Sequence, residues 1–322
     1  MAVVAVSHLT KAYGRRAPAL ADVSLELGEG VTGLLGPNGA GKSTLLQCVL
    51  GLLRDFRGTA SVLGLDARRD RLEIRRRVGY MPEADSLLPG MTGVTSVRYL
   101  GQLSGLSRRQ ALRRAHECLH YVGLSDALYR PGEDYSTGMR QRLKLAQALV
   151  HDPDVLFLDE PVSGMDPAAR DEFLALVSAL ARDHGKHVVW SSHMLPDVQR
   201  VATAVVVLHA GRLLGSLRIE DLARGGDRWR VEAEGPEAAF VDALARHGLA
   251  LEAGTLESGR DGAEQGRFAA TVRVAGPEPL GALLRAAAEA GARVRSAEPL
   301  AERLEDVFHR LVGAAHAGTG AS

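Results

Sequence analysis

A glycine-rich segment with a lysine and two hydroxyl side chains carries the clearest chemistry in the chain. It lies between the apolar run 31–35 and the apolar, helix-like run 45–53. Glycines let the backbone fold tightly enough to point successive N–H groups at a phosphate, and the helix start that follows adds partial positive charge. The pattern predicts a phosphate-binding loop in a chain that binds a nucleoside triphosphate. The loop consists of Gly36, Pro37, Asn38, Gly39, Ala40, Gly41, Lys42, Ser43 and Thr44.

Four side chains acquire individual roles from this interpretation. Lys42 would reach the β- and γ-phosphates as a point charge, and the Ser43 hydroxyl would complete a magnesium site shared with the nucleotide. A second motif, residues 155–160, places Asp159 and Glu160 at the end of an apolar strand, where a doubly wound sheet presents its ligands. Because phosphoryl transfer needs mainly positioning and charge compensation, Asp159 suits the magnesium shell and Glu160 suits the attacking water.

The bulk composition narrows the classes of function. With 322 residues the chain can form one large or two ordinary domains, and we favour two. The net charge is zero, so no nucleic-acid partner is expected. Cys48 and Cys118 lie far apart in helical patterns, which favours buried thiols over a disulfide or a metal site. A secretion signal and a membrane-length apolar run are lacking, which predicts a cytoplasmic protein whose membrane role would need another chain.

The order of apolar runs predicts two domains. Residues 1–224 alternate short β-branched runs with helical stretches, which indicates an α/β domain with a largely parallel sheet. Within it, residues from about 85 to 150 carry almost no strand pattern and are interpreted as a helical insertion. The strand candidates include residues 31–35, 155–158, 187–190 and 204–208.

A change of composition at residues 224–227 predicts a linker to a small α+β domain over 228–312. Its pattern reads strand, helix, two strands, helix and strand, followed by a terminal helix with one apolar face that we expect to be docked. Residues 313–322 are rich in small side chains and are predicted to form a flexible tail. The assigned runs are 229–233, 236–246, 268–274, 279–290 and 293–297, and the apolar face of the last helix carries Leu304, Val307, Phe308 and Leu311.

A third motif, residues 135–142, leads into an amphipathic helix that Ser136 would cap. Taken alone it is an ordinary helix start. Upstream of Asp159 and Glu160, however, it resembles the signature motif of the ATP-binding-cassette (ABC) ATPases, and the chain resembles that family from residue 3 to 224 and has a counterpart of each family element in order. The resemblance matches Tyr13 with the aromatic residue that stacks on adenine and residues 36–44 with the Walker A loop. It matches Ser136 and Gly138 with the phosphate-facing signature residues, and Asp159 and Glu160 with the Walker B pair. It matches Asp166 with the loop that communicates across the dimer and His193 with the switch histidine.

Two positions depart from the family pattern. Glu83 stands where the family more often has the glutamine that senses magnesium and water, and it could still bind through one oxygen. Thr137 and Met139 stand where many relatives have glycine and glutamine. We interpret both departures as features of a drug-resistance-type exporter branch, which the closing residues 301–308 also resemble.

The resemblance implies a P-loop NTPase fold, ATP and Mg²⁺ as ligands, and catalysis by Glu160, His193 and Lys42. Glu83 would join the nucleotide and metal ligands. It further implies an ATP-dependent dimer of two copies and a membrane permease, which would hold the protein on the cytoplasmic face of the membrane. Leu87, Leu88, Met91 and Tyr99 could contact that permease or belong to the core.

A rival function is that of a soluble ABC ATPase that gates transactions of nucleic acid or the ribosome. Such relatives usually carry two cassettes in one chain or a long coiled-coil insertion. Here there is one phosphate loop and no sustained heptad pattern, which favours the exporter.

Overall fold

The structure, a computed structural model, describes residues 2–14, 17–223, 228–258, 266–274, 278–300 and 303–319. This part of the chain forms two compact units, one of residues 2–218 with 308–319 and one of residues 219–307. The division falls between Arg218 and Ile219. The predicted linker 224–227 lies outside the described residues.

The first unit is built from strands and helices that largely alternate. Its strands are β1 (Val4–Lys11), β2 (Leu20–Leu27), β3 (Val31–Leu35), β4 (Arg57–Val62), β5 (Leu65–Asp66), β6 (Val78–Met81), β7 (Val155–Asp159), β8 (His187–Ser192), β9 (Ala204–His209) and β10 (Arg212–Arg218). Its helices are α1 (Lys42–Val49), α2 (Arg71–Arg77), α3 (Gly93–Leu103), α4 (Arg108–Tyr121), α5 (Thr137–Leu149), α6 (Pro167–Arg182) and α7 (Leu195–Val201).

A six-stranded sheet in the order β10-β9-β3-β8-β7-β6 forms the centre of this unit. All neighbours pair in parallel except β9 and β10. Strands β3 and β7 are buried along their whole length, as expected of a parallel sheet that is covered on both faces. The four predicted strands are confirmed.

An antiparallel sheet in the order β2-β1-β4-β5 accompanies the parallel one and was not predicted. Its sequence signal was present, because the apolar residues of β2 alternate with polar ones in the way that a sheet with one buried face requires. Leu45 and Cys48 of α1 belong to a core that includes Val6 of this sheet and Phe157 of the parallel sheet. The helix that follows the phosphate loop is therefore anchored in the main core.

The helical insertion lies between β6 and β7 and consists of α3, α4, α5 and two short 3₁₀ turns. Helix α4 begins with a capping box in which Ser107 and Gln110 satisfy each other's backbone N–H groups. Helix α5 begins at the N-cap Ser136. Both helix starts were encoded locally by their serines.

The second unit is a five-stranded antiparallel sheet whose main order is β12-β14-β11-β15. Phe240 of one helix packs against Phe268 of one strand, with ring centroids 5.2 Å apart. The two helices predicted over 236–246 and 279–290 and the three longer strands agree with the predicted runs to within two residues. The elements are α8 (Ile219–Ala223), β11 (Arg228–Glu234), α9 (Glu237–Arg246), β12 (Ala250–Leu251), β13 (Glu257–Ser258), β14 (Arg267–Arg273), α10 (Pro279–Glu289) and β15 (Arg293–Pro299).

The terminal helix α11 (Leu304–Thr319) begins in the second unit and belongs to the first from Phe308 onward. Leu304 and Val307 are buried, and Leu311 approaches Gly215 of β10. The helix continues well into the segment predicted to be a flexible tail, since that segment contains several alanines, which favour the helix. Among the described residues, none of the helices combines the length and apolar character needed to cross a bilayer.

Candidate nucleotide-binding site

The phosphate loop connects β3 to α1 through a backbone path that requires glycine at two points. A Cβ atom on Gly36 would lie 2.3 Å from the carbonyl oxygen of Leu208. Gly41 has φ +102°, and a Cβ atom there would lie 2.5 Å from the carbonyl oxygen of Ala19. Side chains at these two positions would collide with backbone, so the close fold of the loop depends on their absence.

Lys42, the first residue of α1, links the loop to the acidic pair. Its buried Nζ donates a hydrogen bond to the Gly36 carbonyl oxygen at 2.7 Å and lies 3.1 Å from Glu160 Oε1. This contact with Glu160 is an ion pair, and Oε1 accepts no hydrogen bond in the described structure. The lysine charge therefore stands between the start of the loop and the candidate catalytic carboxylate.

Asp159 and Glu160, at the end of β7, are both held by Ser191 of the neighbouring strand β8. The Ser191 hydroxyl donates to Asp159 Oδ1. The Glu160 N–H donates to the Ser191 carbonyl oxygen at 3.1 Å and approaches its hydroxyl at 3.3 Å. Glu160 has φ +47°, a left-handed conformation that is uncommon for a residue with a Cβ atom. These contacts fix where the two carboxylates point.

His193 contacts Glu160 on the side opposite to Lys42. Its Nδ1 lies 2.9 Å from Glu160 Oε2, while Lys42 approaches Oε1. The Glu160 side chain is buried, and that of His193 is 45% exposed. The predicted catalytic residues Glu160, His193 and Lys42 thus form one contiguous cluster.

A cavity of about 510 Å³ lies over the phosphate loop, and both Glu83 and Glu160 line it. Lys42 and the loop backbone offer positive charge and N–H donors to phosphates, while the Ser43 hydroxyl is an oxygen donor of the kind that Mg²⁺ prefers. The predicted metal ligand Asp159, 2% exposed, is next to Glu160 in the chain but is not one of the residues that line the cavity. The donor set fits a magnesium nucleotide. The lining residues are Ala19, Pro37, Asn38, Gly39, Ala40, Gly41, Lys42, Ser43, Thr44, Glu83 and Glu160.

The described structure contains no cluster of three or more His, Cys, Asp or Glu side chains that could hold a metal ion without further ligands. Mg²⁺ usually keeps several waters and takes phosphate oxygens beside one or two protein ligands. Ser43, Asp159 and Glu83 would therefore need the nucleotide to complete a metal site.

Four predicted nucleotide ligands do not line this cavity in the described part of the chain. Tyr13 follows β1 and is half exposed, with its ring centroid 4.7 Å from Lys11 Nζ. The other three lie at the starts of α5 and α6, where Ser136 and Asp166 accept hydrogen bonds from backbone N–H groups at 3.3 and 2.9 Å. A Cβ atom on the third, Gly138, would lie 3.2 Å from that of a residue of α6, so the two helix starts adjoin.

Sequence reasoning missed three polar groups near the site. Ser191 comes directly after the strand predicted over 187–190, and a serine at the end of an apolar run was a usable signal. Lys144 of α5 donates to the Glu83 carbonyl oxygen at 3.1 Å. Asp197 of α7 is buried 3.8 Å from Arg170 of α6, and its burial raises the pKa of its carboxyl. The contacts of these three groups depend on the packing of β8, α5 and α7.

Comparison with known proteins places this geometry in a family. The family model described as "ABC transporter" matches residues 20–163. An uncharacterized ABC transporter ATP-binding protein of Bacillus subtilis, YxlF, is 38% identical over 68% of this chain and 72% of its own length. The daunorubicin resistance ATP-binding protein DrrA2 of Streptomyces coeruleorubidus is 36% identical over 96% of this chain and 95% of its own length.

Solved structures agree at the level of the fold. An ATP-binding subunit of an ABC transporter superposes with a TM-score of 0.61 at 28% identity, covering 69% of this chain and 92% of that one. The dimeric cassette MJ0796, bound to ADP and Pi, gives a TM-score of 0.62 at 24% identity over 67% of this chain and 98% of that one.

The chain belongs to the ATP-binding proteins of ABC transporters, and its relatives place it in the drug-resistance-type branch of that family. It is a P-loop ATPase that uses ATP and Mg²⁺ and works with a membrane permease. The predicted fold class, activity and cofactors and the predicted permease partner are thereby confirmed.

Proposed function

We propose that this chain drives export through a permease by hydrolysing ATP at sites shared between two copies. The observation that carries the proposal is the position of Glu160, buried between Lys42 and His193 at the rim of the phosphate-loop cavity. Relatives named for daunorubicin and bacitracin support export of toxic compounds as the process that is served.

The phosphate loop and Lys42 bind the nucleotide, and Ser43, Asp159 and Glu83 are the residues that would hold Mg²⁺, which supplies compensation for phosphate charge when bound. A γ-phosphate competes with Glu160 for Lys42, because both are anions within reach of the same ammonium group. Binding of ATP therefore releases Glu160 Oε1 from its ion pair. The released carboxylate can then orient and deprotonate the attacking water.

His193 acts on the other oxygen of the same carboxylate. Its bond to Glu160 Oε2 holds the side chain toward the cavity, so the carboxylate does not rotate away when Lys42 turns to phosphate. The half-exposed imidazole also remains accessible to the γ-phosphate of a bound nucleotide.

The start of α5 supplies the opposing half of the site. Its N-terminus offers backbone N–H groups and the exposed Ser136 hydroxyl, which together favour an anion. Since Ser136 and Gly138 lie outside the cavity of their own chain, they serve the nucleotide held by the second copy, with Asp166 beside them. Tyr13 stacks on the adenine of its own nucleotide.

The remaining assignments follow from this arrangement. The ATPase works at the cytoplasmic face of the membrane, where its permease holds it, and the helical insertion provides the permease contact. Leu87, Leu88 and Met91 are half-buried and Tyr99 is 41% exposed, so this cluster can serve both the core and a partner. Residues 219–307 form a separate α+β unit.

Two variants in one background test the shared site. Glu160→Gln should slow ATP hydrolysis by roughly 10²- to 10⁴-fold and accumulate an ATP-bound dimer, measured by light scattering. Adding Ser136→Asp should abolish that dimer, since aspartate preserves the helix cap but sets a negative charge against the γ-phosphate.

The control is Ser107→Asp, which changes the N-cap serine of α4 in the same way at a point remote from the nucleotide. It should leave the dimer intact. If Ser136→Asp and Ser107→Asp behave alike, or if Glu160→Gln with Mg·ATP stays monomeric, the shared site is wrong.

A further inference from the structure

Lys144 is a buried cation of the signature helix α5 that the mechanism above does not use. It is 4% exposed, and its Nζ donates a hydrogen bond to the carbonyl oxygen of Glu83 at 3.1 Å. It is one of four lysines in a chain whose other basic residues are arginines. Burying a lysine is costly unless nearby groups stabilise its charge, so its surroundings need a reason.

The surroundings of Lys144 are acidic. Burial lowers the pKa of its ammonium group, and the carboxylates of Asp85, Glu83 and Asp159 act in the opposite direction. Two of these carboxylates, Glu83 and Asp159, belong to the candidate nucleotide and metal site. Lys144 lines a different cavity from that of the phosphate loop, and its positive charge lies against the main chain of Glu83.

Glu83 makes that charge necessary. Its side chain lines the cavity together with Glu160. Glu83 is exposed at the cavity, where its carboxylate adds one negative charge beside the phosphates of ATP, and like charges repel. Lys42 contacts Glu160 and the Gly36 carbonyl and turns to the phosphates when ATP binds, so its single charge does not also offset that of Glu83.

We propose that Lys144 is a positioning residue for Glu83, which it serves in two ways. Its hydrogen bond fixes the main chain at Glu83 to the signature helix, and its charge offsets the carboxylate that Glu83 brings to the nucleotide cavity. The proposal rests on the function proposed above, because it assumes that ATP occupies this cavity.

A double-mutant cycle tests the charge relation. Lys144→Met should weaken Mg·ATP binding and slow hydrolysis, each on the order of tenfold, the size expected of a directly coupled pair. Glu83→Gln in the same chain should remove most of that loss, since a neutral amide needs no compensation. Binding is measured by titration with a fluorescent ATP analogue, and hydrolysis by phosphate release, so that affinity and kcat are read separately.

Lys186→Met is the matched control. Lys186 is also a largely buried lysine in an ion pair, with Asp152 at 2.8 Å, but it lies outside the nucleotide cavity. The Lys186→Met variant should lose stability without a change in nucleotide affinity, and adding Glu83→Gln should not alter the effect of Lys186→Met. Should Lys144→Met fail to fold, Lys144→Gln keeps a donor for the Glu83 carbonyl and removes only the charge.

Three results would overturn the proposal. The first is an unchanged nucleotide affinity in folded Lys144→Met, and the second, if Lys144→Met does not fold, is an unchanged nucleotide affinity in Lys144→Gln. The third is a loss of affinity on mutating Lys144 that is equally large in chains with Glu83 and in chains with Glu83→Gln. An equal loss would assign Lys144 to the packing of α5 alone. Failure of the proposed function looks different, because the wild-type chain would then lack hydrolysis or ATP-dependent dimerisation.

Discussion

Removal of the Ser191 hydroxyl is the most informative single perturbation of the catalytic side of this ATPase. Ser191 is fully buried on β8 and donates to Asp159 while its backbone carbonyl accepts from the Glu160 N–H. In Ser191→Ala the Glu160 contact through the carbonyl survives, whereas Asp159 loses a donor that nothing replaces. The variant therefore removes a contact that orients Asp159 and keeps the backbone contact that orients Glu160.

The magnitude follows from the bonds involved. A hydrogen bond to a charged group contributes about 1.5–3 kcal/mol, which corresponds to roughly a 10- to 150-fold change in an equilibrium constant. Loss of an outer partner of a metal ligand usually costs about 10- to 100-fold in metal affinity or activity. We therefore expect the Mg²⁺ concentration for half-maximal ATPase to rise by roughly one to two orders of magnitude.

The assay titrates Mg²⁺ at fixed ATP and follows both hydrolysis and the Mg²⁺-dependent gain in nucleotide affinity. Metal-free nucleotide binding should be unchanged. Ser96→Ala is the control, because that serine is 2% exposed on α3 and donates to a neutral carbonyl oxygen, of Gly93. It should lower stability without a shift in Mg²⁺ dependence. A Ser191→Ala protein with wild-type Mg²⁺ dependence would refute the assigned role of Asp159.

Two further perturbations address the loop and the second unit. Gly41→Ala should lower both thermal stability and ATP affinity more than Gly39→Ala. Both glycines have positive φ, which costs an alanine about 1–2 kcal/mol, but only a Cβ on Gly41 would also lie 2.5 Å from the Ala19 carbonyl oxygen. Equal effects of the two substitutions in thermal melting and calorimetry would contradict this geometry. Phe240→Ala should destabilise the second unit by about 3–5 kcal/mol in denaturant unfolding, because Phe240 is fully buried against Phe268. ATP affinity should not change, and a weakened ATP site would argue against independent units.

The sequence by itself determined the chemistry and most of the elements. The phosphate loop, the acidic pair and the helix-capping serine are local patterns, each readable within about ten residues because the backbone conformations and charges they need depend on near neighbours. The same holds for the strands 31–35 and 155–158 and for the helices around 236–246 and 279–290, whose apolar spacing reports burial directly.

The tertiary structure determined which side chains lie next to one another. Ser191 lies opposite Asp159 only because β8 pairs in parallel with β7, and Lys144 reaches Glu83 only because α5 packs near the end of β6. Such contacts join residues 32 and 61 positions apart, and no local pattern constrains a distance of that length. The sequence therefore determined the types of the reacting groups. The pairing of strands and the packing of helices determined which other groups orient them and balance their charge.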